Sequence, residues 1–520
     1  MPWGGADQRP QGQQAGHHLI SAQRLLWIGE QCLSLYRFRH NLFQKYLYQS
    51  LDAVERAHLH AQVGYALEAL YATQRATYAV QLARHFAAAG LLEKAVDYLR
   101  QAGENAHQLS ANVEAIEHVR HALTLLATLP DSPAHAQHEL TLQIMLGNAL
   151  IVVQGYAALA VGEAFRRARV LCEQLGDMTQ LFSVLHGLHR FGYARGQWQL
   201  ARDLGEQMVS LAERNPDPFL RSEANRALGV TLWLQGEFML AQTHFQQGYA
   251  WYDHRYHAAY LRLSGQDPGV VCLGGNALTL WCLGYVEQAH HTLEKTQALA
   301  QTIAHPFVLT YAQFYACLVH QFESLPATVQ QGAEMIIALA RQHEFTYYWG
   351  AGMVLRGWAQ TQQGQYPAGI AEMQQGLALI CETGTVLFHH YYLCLLADAY
   401  RQNGERAAGL QTINAALAAV PSSGRFWEAE LYRLQGELWL LEPLAAAEAA
   451  AATSFYQAIA TAQHQNAKAL ELRATLSLSR LWQRQGRPAE VQAVLAPLYT
   501  WFGEGFETTD LQAAQALLDT

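Results

Sequence analysis

The sequence predicts an all-α fold, a right-handed solenoid built from roughly ten helical hairpins. Three observations predict this class: a glycine-centred pattern that recurs along the chain, a composition dominated by Ala, Leu and Gln, and very few runs rich in Val, Ile and Thr. A repeat array can reach 520 residues without a single compact core, because each unit contacts only its neighbours. We therefore expect a binding scaffold rather than a catalyst.

The recurring pattern places small residues at fixed distances from a glycine. Gly229 lies seven residues before Gly236, Ala241 lies five residues after it, and the apolar Phe245 follows four residues later. This spacing describes a hairpin whose first helix ends on the glycine and whose second helix packs close through small residues. Ser324 takes the place of the glycine in one unit. The other turn glycines are Gly90, Gly196, Gly284, Gly364, Gly404 and Gly486.

Three segments follow one another along the chain. Residues 1–18 are rich in Gly, Gln and Pro and are predicted to be disordered. Residues 19–75 predict a short α/β segment, with strand-like alternation in SLYRFRH (34–40) and helical spacing after Asp52. Residues 76–520 carry the repeats and form the predicted solenoid.

The repeat frame is interrupted in three places. The distance between one pair of successive turn glycines is longer than the others. The extra residues lie within 252–270, which contains loop-forming Gly, Asp and Pro residues. A turn is expected near 443–446, where the alanine-rich stretch 445–452 predicts an extended helix. Between Gly90 and Gly196 the frame is looser, and Gly155 suggests degenerate units there.

Composition and charge exclude several classes of function. The net charge is −9, and the chain has only four lysines, namely Lys45, Lys94, Lys295 and Lys468. With no basic stripe, direct binding of nucleic acid or of an anionic membrane is not expected. Seven cysteines without a CxxC pair, no leader and no apolar run of about 20 residues indicate a soluble cytoplasmic protein.

No motif predicts catalysis, a cofactor or a metal site. A phosphate-binding GxxxxGK[ST] loop, an HExxH pair and a GxSxG turn are all missing from the sequence. The histidine doublets at 290–291 and 389–390 point about 100° apart on a helix, which does not suit chelation. We therefore predict no enzyme activity, no cofactor and no metal.

Tryptophans recur within the repeats, and they allow two interpretations. They could line an aromatic groove for a peptide or small ligand, or they could fill the core between helices. Because the tryptophans recur with the same period as the core positions of the repeat, the core interpretation is favoured. The residues are Trp198, Trp233, Trp281, Trp358, Trp439 and Trp482.

The long insertion supplies the candidate contact patch for a partner. Loops on solenoids often lie on the binding face, and this one concentrates aromatic and basic residues. The alternative is a polar loop that covers a helix end. The patch consists of Tyr252, His254, Arg255, Tyr256 and His257.

The spacing of the pattern resembles the tetratricopeptide repeat (TPR), with a longer period. In addition, YRFRHNLFQKYLYQSL (36–51) and ERAHLH (55–60) resemble the stretch that closes the nucleotide-binding and winged-helix region of large bacterial signalling ATPases. The resemblance implies that residues 19–75 are a winged-helix-like remnant.

Four further strings are similar to the repeat tail of one subgroup of these ATPases: 154–177, GQDPGVVCL (265–273), LRGWAQTQQGQ (355–365) and RFWEAELYRLQGELWLL (425–441). That subgroup joins a class III adenylate or guanylate cyclase domain, an AAA-like ATPase and the repeat tail. The family's catalytic domains would lie before residue 1, so no catalytic residue is transferred to this chain.

The resemblance implies a regulatory role. The concave surface would bind a protein segment or the ATPase–cyclase module itself. One alternative is a small-molecule sensor, which a deep aromatic pocket would favour. Another alternative is a truncated fragment of a cyclase or ATPase.

Overall fold

The computed structural model describes residues 20–28, 31–38, 41–72, 77–109, 111–442 and 445–519, with side chains from 37 onward except at 43 and 264. The predicted disordered segment, 1–18, lies outside the described residues. The fold is an α-solenoid, as predicted. It divides into two compact units, Met1–Ala149 and Leu150–Thr520. The predicted boundaries at residues 18 and 75 stay predictions.

The first unit opens with an antiparallel strand pair. Strand β1 (Ile20–Ile28) pairs with β2 (Gln31–Phe38), with a bulge between Ala22 and Arg24. Strand β2 overlaps the predicted strand-like segment, whereas β1 was not expected from the sequence. The helices that follow are α1 (Asn41–Ser50), α2 (Ala53–Leu70), α3 (Ala79–Ala88), α4 (Leu92–Gln108), α5 (Asn112–Leu126) and α6 (Pro133–Gln154).

The second unit consists of helix pairs. The first helix of each pair is followed by a short turn and by a second helix that runs back along it. The helices are α7 (Leu159–Leu175), α8 (Met178–Ala194), α9 (Trp198–Glu213), α10 (Pro218–Leu234), α11 (Phe238–Ala250), α12 (His257–Ser264), α13 (Pro268–Leu283), α14 (Val286–Ile303), α15 (Pro306–Phe322), α16 (Pro326–Gln342), α17 (Thr346–Gln362), α18 (Tyr366–Glu382), α19 (His389–Gln402), α20 (Arg406–Ser423), α21 (Glu428–Trp439), α22 (Ala445–His464), α23 (Lys468–Arg484), α24 (Pro488–Trp501) and α25 (Thr509–Leu518).

The hairpin turns lie where the glycine pattern predicts them. Ser324 has φ +58°, so the predicted substitute adopts the left-handed conformation without being glycine. The break between α21 and α22 begins at Leu440, ahead of the predicted turn near 443–446. Of that predicted turn, 443–444 lie outside the described residues and 445–446 already belong to α22, which contains the alanine-rich stretch. All the predicted turn glycines also have positive φ: Gly90, Gly155, Gly196, Gly236, Gly284, Gly364, Gly404 and Gly486.

Most of the recurring tryptophans lie in the core, in agreement with the core interpretation of the sequence pattern. Trp281 and Trp358 are each 2% exposed, and Trp198, Trp233 and Trp482 are also buried. Trp439 is half-buried. The core interpretation is incomplete, however, because Trp233 also lines a cavity described below.

Within the second unit, early repeats contact late repeats directly. The backbone N–H of Arg425 donates to Leu234 O at 2.6 Å, and the rings of Trp233 and Phe426 stack with centroids 4.2 Å apart. Phe322 stacks in the same way on Trp427, at 4.3 Å. The inner face of this part of the array is therefore filled by the chain's own aromatic side chains.

Candidate functional site

A cavity of about 280 Å³ lies on the inner face of the second unit. Its walls come mainly from the first helices of five successive pairs, α8, α10, α13, α15 and α17, and from the turn before α19. The repeat explains this arrangement, because equivalent positions of successive first helices face the same side. The residues six before the turn in three pairs, Arg190, Val230 and Leu278, all line the cavity.

Aromatic side chains form a large part of the cavity wall. Tyr348 packs edge-on against Phe307 and Phe314, with ring centroids 5.5 and 5.7 Å apart. Phe388 lies 5.7 Å from Trp233 and 5.6 Å from Phe314, and joins these two parts of the wall. Burial raises the pKa of Tyr348 well above its ordinary value, so the phenol stays neutral. Rigid aromatic walls of this kind suit a flat apolar ligand.

The polar end of the cavity is anchored by a buried group of three charged or polar side chains. Arg226 makes a two-point ion pair with Glu223, with Nη2–Oε1 at 2.6 Å and Nε–Oε2 at 2.9 Å. His186 Nε2 lies 2.8 Å from the same Glu223 Oε1. Burial alone would raise the pKa of Glu223, but the charge of Arg226 and the hydrogen bond with His186 lower it to about 2. The Arg226 charge at the cavity wall is therefore already neutralised.

Arg190 also lines this end and has no carboxylate partner among the described residues. Its guanidinium carbon lies 3.9 Å from the centre of the Tyr156 ring, in a cation–π contact. Its Nη1 is buried and has no hydrogen-bond partner in the described part of the chain. The cavity therefore carries one uncompensated positive charge.

His189 is the neighbouring polar residue of the wall, and it is 3% exposed. Burial, followed by the nearby charge of Arg226, holds its pKa well below the ordinary value, so the ring is neutral. The Thr231 hydroxyl donates to Ala227 O and therefore accepts from His189 Nε2, 2.9 Å away. His189 Nδ1 is then a free acceptor, with no partner among the described residues.

A second, smaller cavity of about 220 Å³ is lined mostly by charged and uncharged polar residues. Its charges are largely paired with one another. The pairs are Arg401 with Asp398 at 2.8 Å, Arg433 with Glu430 at 2.7 Å and Arg473 with Asp510 at 2.7 Å. This cavity lacks the apolar wall of the first, and we do not regard it as the principal site.

The contact patch predicted from the sequence lies outside the aromatic cavity. Tyr252 OH and His257 Nδ1 both lie 3.0 Å from Asp267 Oδ2, so these two side chains fix the insertion onto the start of α13. Arg255 pairs with Asp253 at 2.6 Å. The exposed members of the patch are His254, Arg255 and Tyr256. The insertion also contains α12, where a loop was expected.

The other sequence expectations concern metals, cysteines and membranes. In the described residues, no group of three or more His, Cys, Asp or Glu side chains is arranged to hold a metal ion. Six described cysteines are free thiols, and five of them are buried, Cys381 being the exposed one. None of the helices in the described ranges is long and apolar enough to cross a bilayer.

The cavity itself was not predicted. Arg190 and Trp233 belong to the repeat pattern in the sequence, but the spacing does not reveal that Phe388 closes the wall nearly 200 residues later. The residue six positions before the turn is an arginine in three units, Arg84, Arg190 and Arg480, so this position alone does not mark the cavity in the sequence.

No protein-family model matches the sequence. An uncharacterised protein of Rhizobium meliloti (strain 1021) is similar in sequence, with 25% identity over 458 residues. The match covers 86% of this chain and 43% of that protein. The chain thus spans less than half the length of this curated relative.

Several solved structures have a similar chain path. A STAND (signal transduction ATPase with numerous domains) protein with a TPR sensor, from Pyrococcus horikoshii, has a TM-score of 0.40 at 14% identity, over 73% of this chain and 55% of that one. A Rap protein complexed with competence and sporulation factor has a TM-score of 0.40 at 12% identity, over 82% and 98%. Yeast Tom70 has a TM-score of 0.33 at 10% identity, over 85% and 95%.

The helix pairs and turns described above make this chain a TPR-like repeat scaffold.

Proposed function

We propose that this chain is a ligand-sensing regulatory domain whose aromatic cavity binds a small molecule. The observation that carries the proposal is the cavity itself, about 280 Å³ in volume and walled by aromatic side chains, with a few polar groups at one end. This combination is typical of small-molecule sites. The small-molecule alternative from the sequence is therefore favoured over a peptide-binding groove.

The inner face supports this choice in a second way. An extended peptide would need an open groove along the first helices, but Trp233 and Phe426 stack across it at 4.2 Å. The hydrogen bond from the backbone N–H of Arg425 to Leu234 O joins the same two segments of the chain. A compact molecule can enter the remaining space, whereas a continuous peptide strand would have to displace these contacts.

The module that the domain regulates is part of the proposal. The sequence resemblance implies an ATPase, in some relatives joined to a cyclase, in the bacterial cytoplasm. A ligand can bias such a module only if it binds one state of the repeat domain more tightly than the other. The exposed residues His254, Arg255 and Tyr256 are the proposed contact surface for a protein partner.

The experiment is a thermal-unfolding screen of the full chain against a broad panel of metabolites, followed by calorimetric titration of the hits. In Val230→Trp an indole is placed into the cavity, because Val230 lines it. The matched control is Val170→Trp, at a side chain that is 43% exposed. We expect the hits to raise the melting temperature of the parent and of Val170→Trp, but not of Val230→Trp.

Two results would overturn the proposal. A panel without any stabilising compound would count against small-molecule sensing. Hits that stabilise Val230→Trp as strongly as the parent would show that binding occurs elsewhere. The unliganded melting temperature of each variant identifies any folding defect.

A further inference from the structure

We infer that the ligand of the aromatic cavity is a small aromatic acid, with one or two rings, whose carboxylate lies on Arg190. The inference rests on the proposed function and specifies the class of ligand. It follows from three features of the cavity: its volume, the aromatic side chains in its wall, and the uncompensated charge at its polar end.

The volume limits the size of the ligand. A cavity of about 150 Å³ holds one benzene molecule. The present cavity, at about 280 Å³, therefore has room for a molecule with one or two rings. The edge-on rings of Phe307, Phe314 and Tyr348 form a wall against which a planar apolar body packs favourably.

The charge of the ligand follows from Arg190. A guanidinium stays ionised at every physiological pH, and placing it in an apolar site is costly unless an anion or hydrogen-bond acceptors compensate it. Tyr156 supplies only a cation–π contact, and Nη1 remains without a partner among the described residues. An anionic group on the ligand would complete this site.

The kind of anion follows from the remaining groups at this end. Arg226 is already paired with Glu223, and His189 is neutral, so the described wall offers one net positive charge. A single planar guanidinium fork matches a single planar carboxylate.

The test uses three compounds with the same two-ring body and different charge: 2-naphthoate, 2-naphthylmethanol and 2-naphthylmethylamine. Their dissociation constants are measured by calorimetry with the full chain. We expect 2-naphthoate to bind most tightly. In Arg190→Gln we expect its dissociation constant to rise about ten- to hundredfold, the range for loss of a charged hydrogen bond. The neutral alcohol should change by less than about threefold in Arg190→Gln, since it has no charge for the guanidinium to pair with.

Two control variants separate the charge from packing. Arg190→Lys keeps the charge and should recover part of the affinity for the acid. Arg166→Gln removes another arginine that packs on a ring, Phe191 at 5.3 Å, at an exposed position that does not line the cavity. It should leave all three dissociation constants unchanged.

The outcomes distinguish this inference from the proposed function. If the alcohol or the amine binds as tightly as the acid, or if Arg190→Gln leaves the affinity for the acid unchanged, the inference is wrong and the cavity still binds a ligand. If none of the three compounds binds while the metabolite panel gives hits blocked by Val230→Trp, the inference is again wrong. If the panel gives no hits either, the proposed function is also wrong.

Discussion

At the scale of single residues, the most consequential group is the buried charge cluster behind the cavity wall. Glu223 is fully buried and holds both Arg226 and His186 through its carboxylate. A buried ion pair adds little net stability compared with apolar packing, but removing one member leaves the other charge uncompensated. The cluster therefore fixes the position of α10 against α8 and neutralises the Arg226 charge at the cavity wall.

We predict that Glu223→Gln lowers the free energy of unfolding by about 3–5 kcal/mol, because Arg226 then lies buried without a counter-charge. Urea unfolding followed by circular dichroism measures the change. The control is Glu173→Gln, at an exposed carboxylate paired with Arg169, where we expect a loss below about 1 kcal/mol. Equal losses in the two variants would contradict a structural role for the buried cluster.

The buried histidines predict a pH dependence of stability. His186 and His189 have pKa values below the ordinary 6.5, mainly through burial, with Arg190 and Arg226 adding to the effect and Glu223 opposing it. The unfolded chain takes up protons below about pH 6.5 that the folded chain does not. The free energy of unfolding therefore falls as the pH decreases through this range.

The measurement is the urea midpoint at about pH 8 and about pH 5. The parent should lose more stability on acidification than His189→Gln, because glutamine does not titrate. His254→Gln, at an exposed position, should behave like the parent. The same loss in the parent and in His189→Gln would argue against the buried neutral histidine.

At the scale of elements, the hairpin turn is the unit that the sequence specifies best, but the turns are not equivalent. Gly236 and Gly364 have similar φ angles, +79° and +83°. A Cβ on Gly364 would meet no atom within 4 Å, whereas a Cβ on Gly236 would collide with the side-chain amide of Gln465. That amide donates to Arg425 O at 2.8 Å, so a side chain at position 236 would disturb a hydrogen bond between two late repeats.

We predict that Gly364→Val costs about 1–2 kcal/mol, the penalty for a left-handed conformation at a residue with a Cβ. Gly236→Val should cost more, because the Gln465 contact is also lost. Thermal and urea unfolding of both variants measure the difference. An unchanged melting temperature for Gly236→Val would contradict the turn geometry, and equal losses would contradict the contact with Gln465.

At the scale of the second unit, contacts more than 200 residues apart hold early and late repeats together. The Glu504 carboxylate accepts hydrogen bonds from the backbone N–H groups of Glu287 at 3.0 Å and Gln288 at 3.3 Å, in the first turn of α14. These N–H groups have no partner within their own helix, and an anion at a helix start is favourable. A residue near the end of the chain therefore caps a helix in the middle.

We predict that Glu504→Ala lowers the free energy of unfolding by about 1 kcal/mol, as loss of a helix cap does. Amide hydrogen exchange should speed up at the start of α14 and in the segment around Glu504. Glu507→Ala, three residues away and exposed, is the matched control and should change neither. Unchanged exchange in α14 would show that this contact does not hold the repeats together.

The sequence alone determined the helix pairs and their turns, including the turn at Ser324, because these depend on residues a few positions apart. Glycine or a substitute at positive φ and small residues at fixed spacing are sufficient to specify a hairpin. The same local reasoning missed β1 and the helical part of the insertion. The candidate contact surface at Tyr252, His254, Arg255, Tyr256 and His257 stays a prediction, and the structure adds that Tyr252 and His257 bond to Asp267.

The tertiary structure decided where the candidate site lies. Arg190, Trp233 and Phe388 line one cavity only because small rotations between successive repeats add up until distant repeats meet. No single residue determines this accumulated rotation, since it depends on the packing of every helix pair between the first repeat and the last. The sequence therefore specifies the repeat, and the cavity and its unpaired charge arise from how the repeats stack.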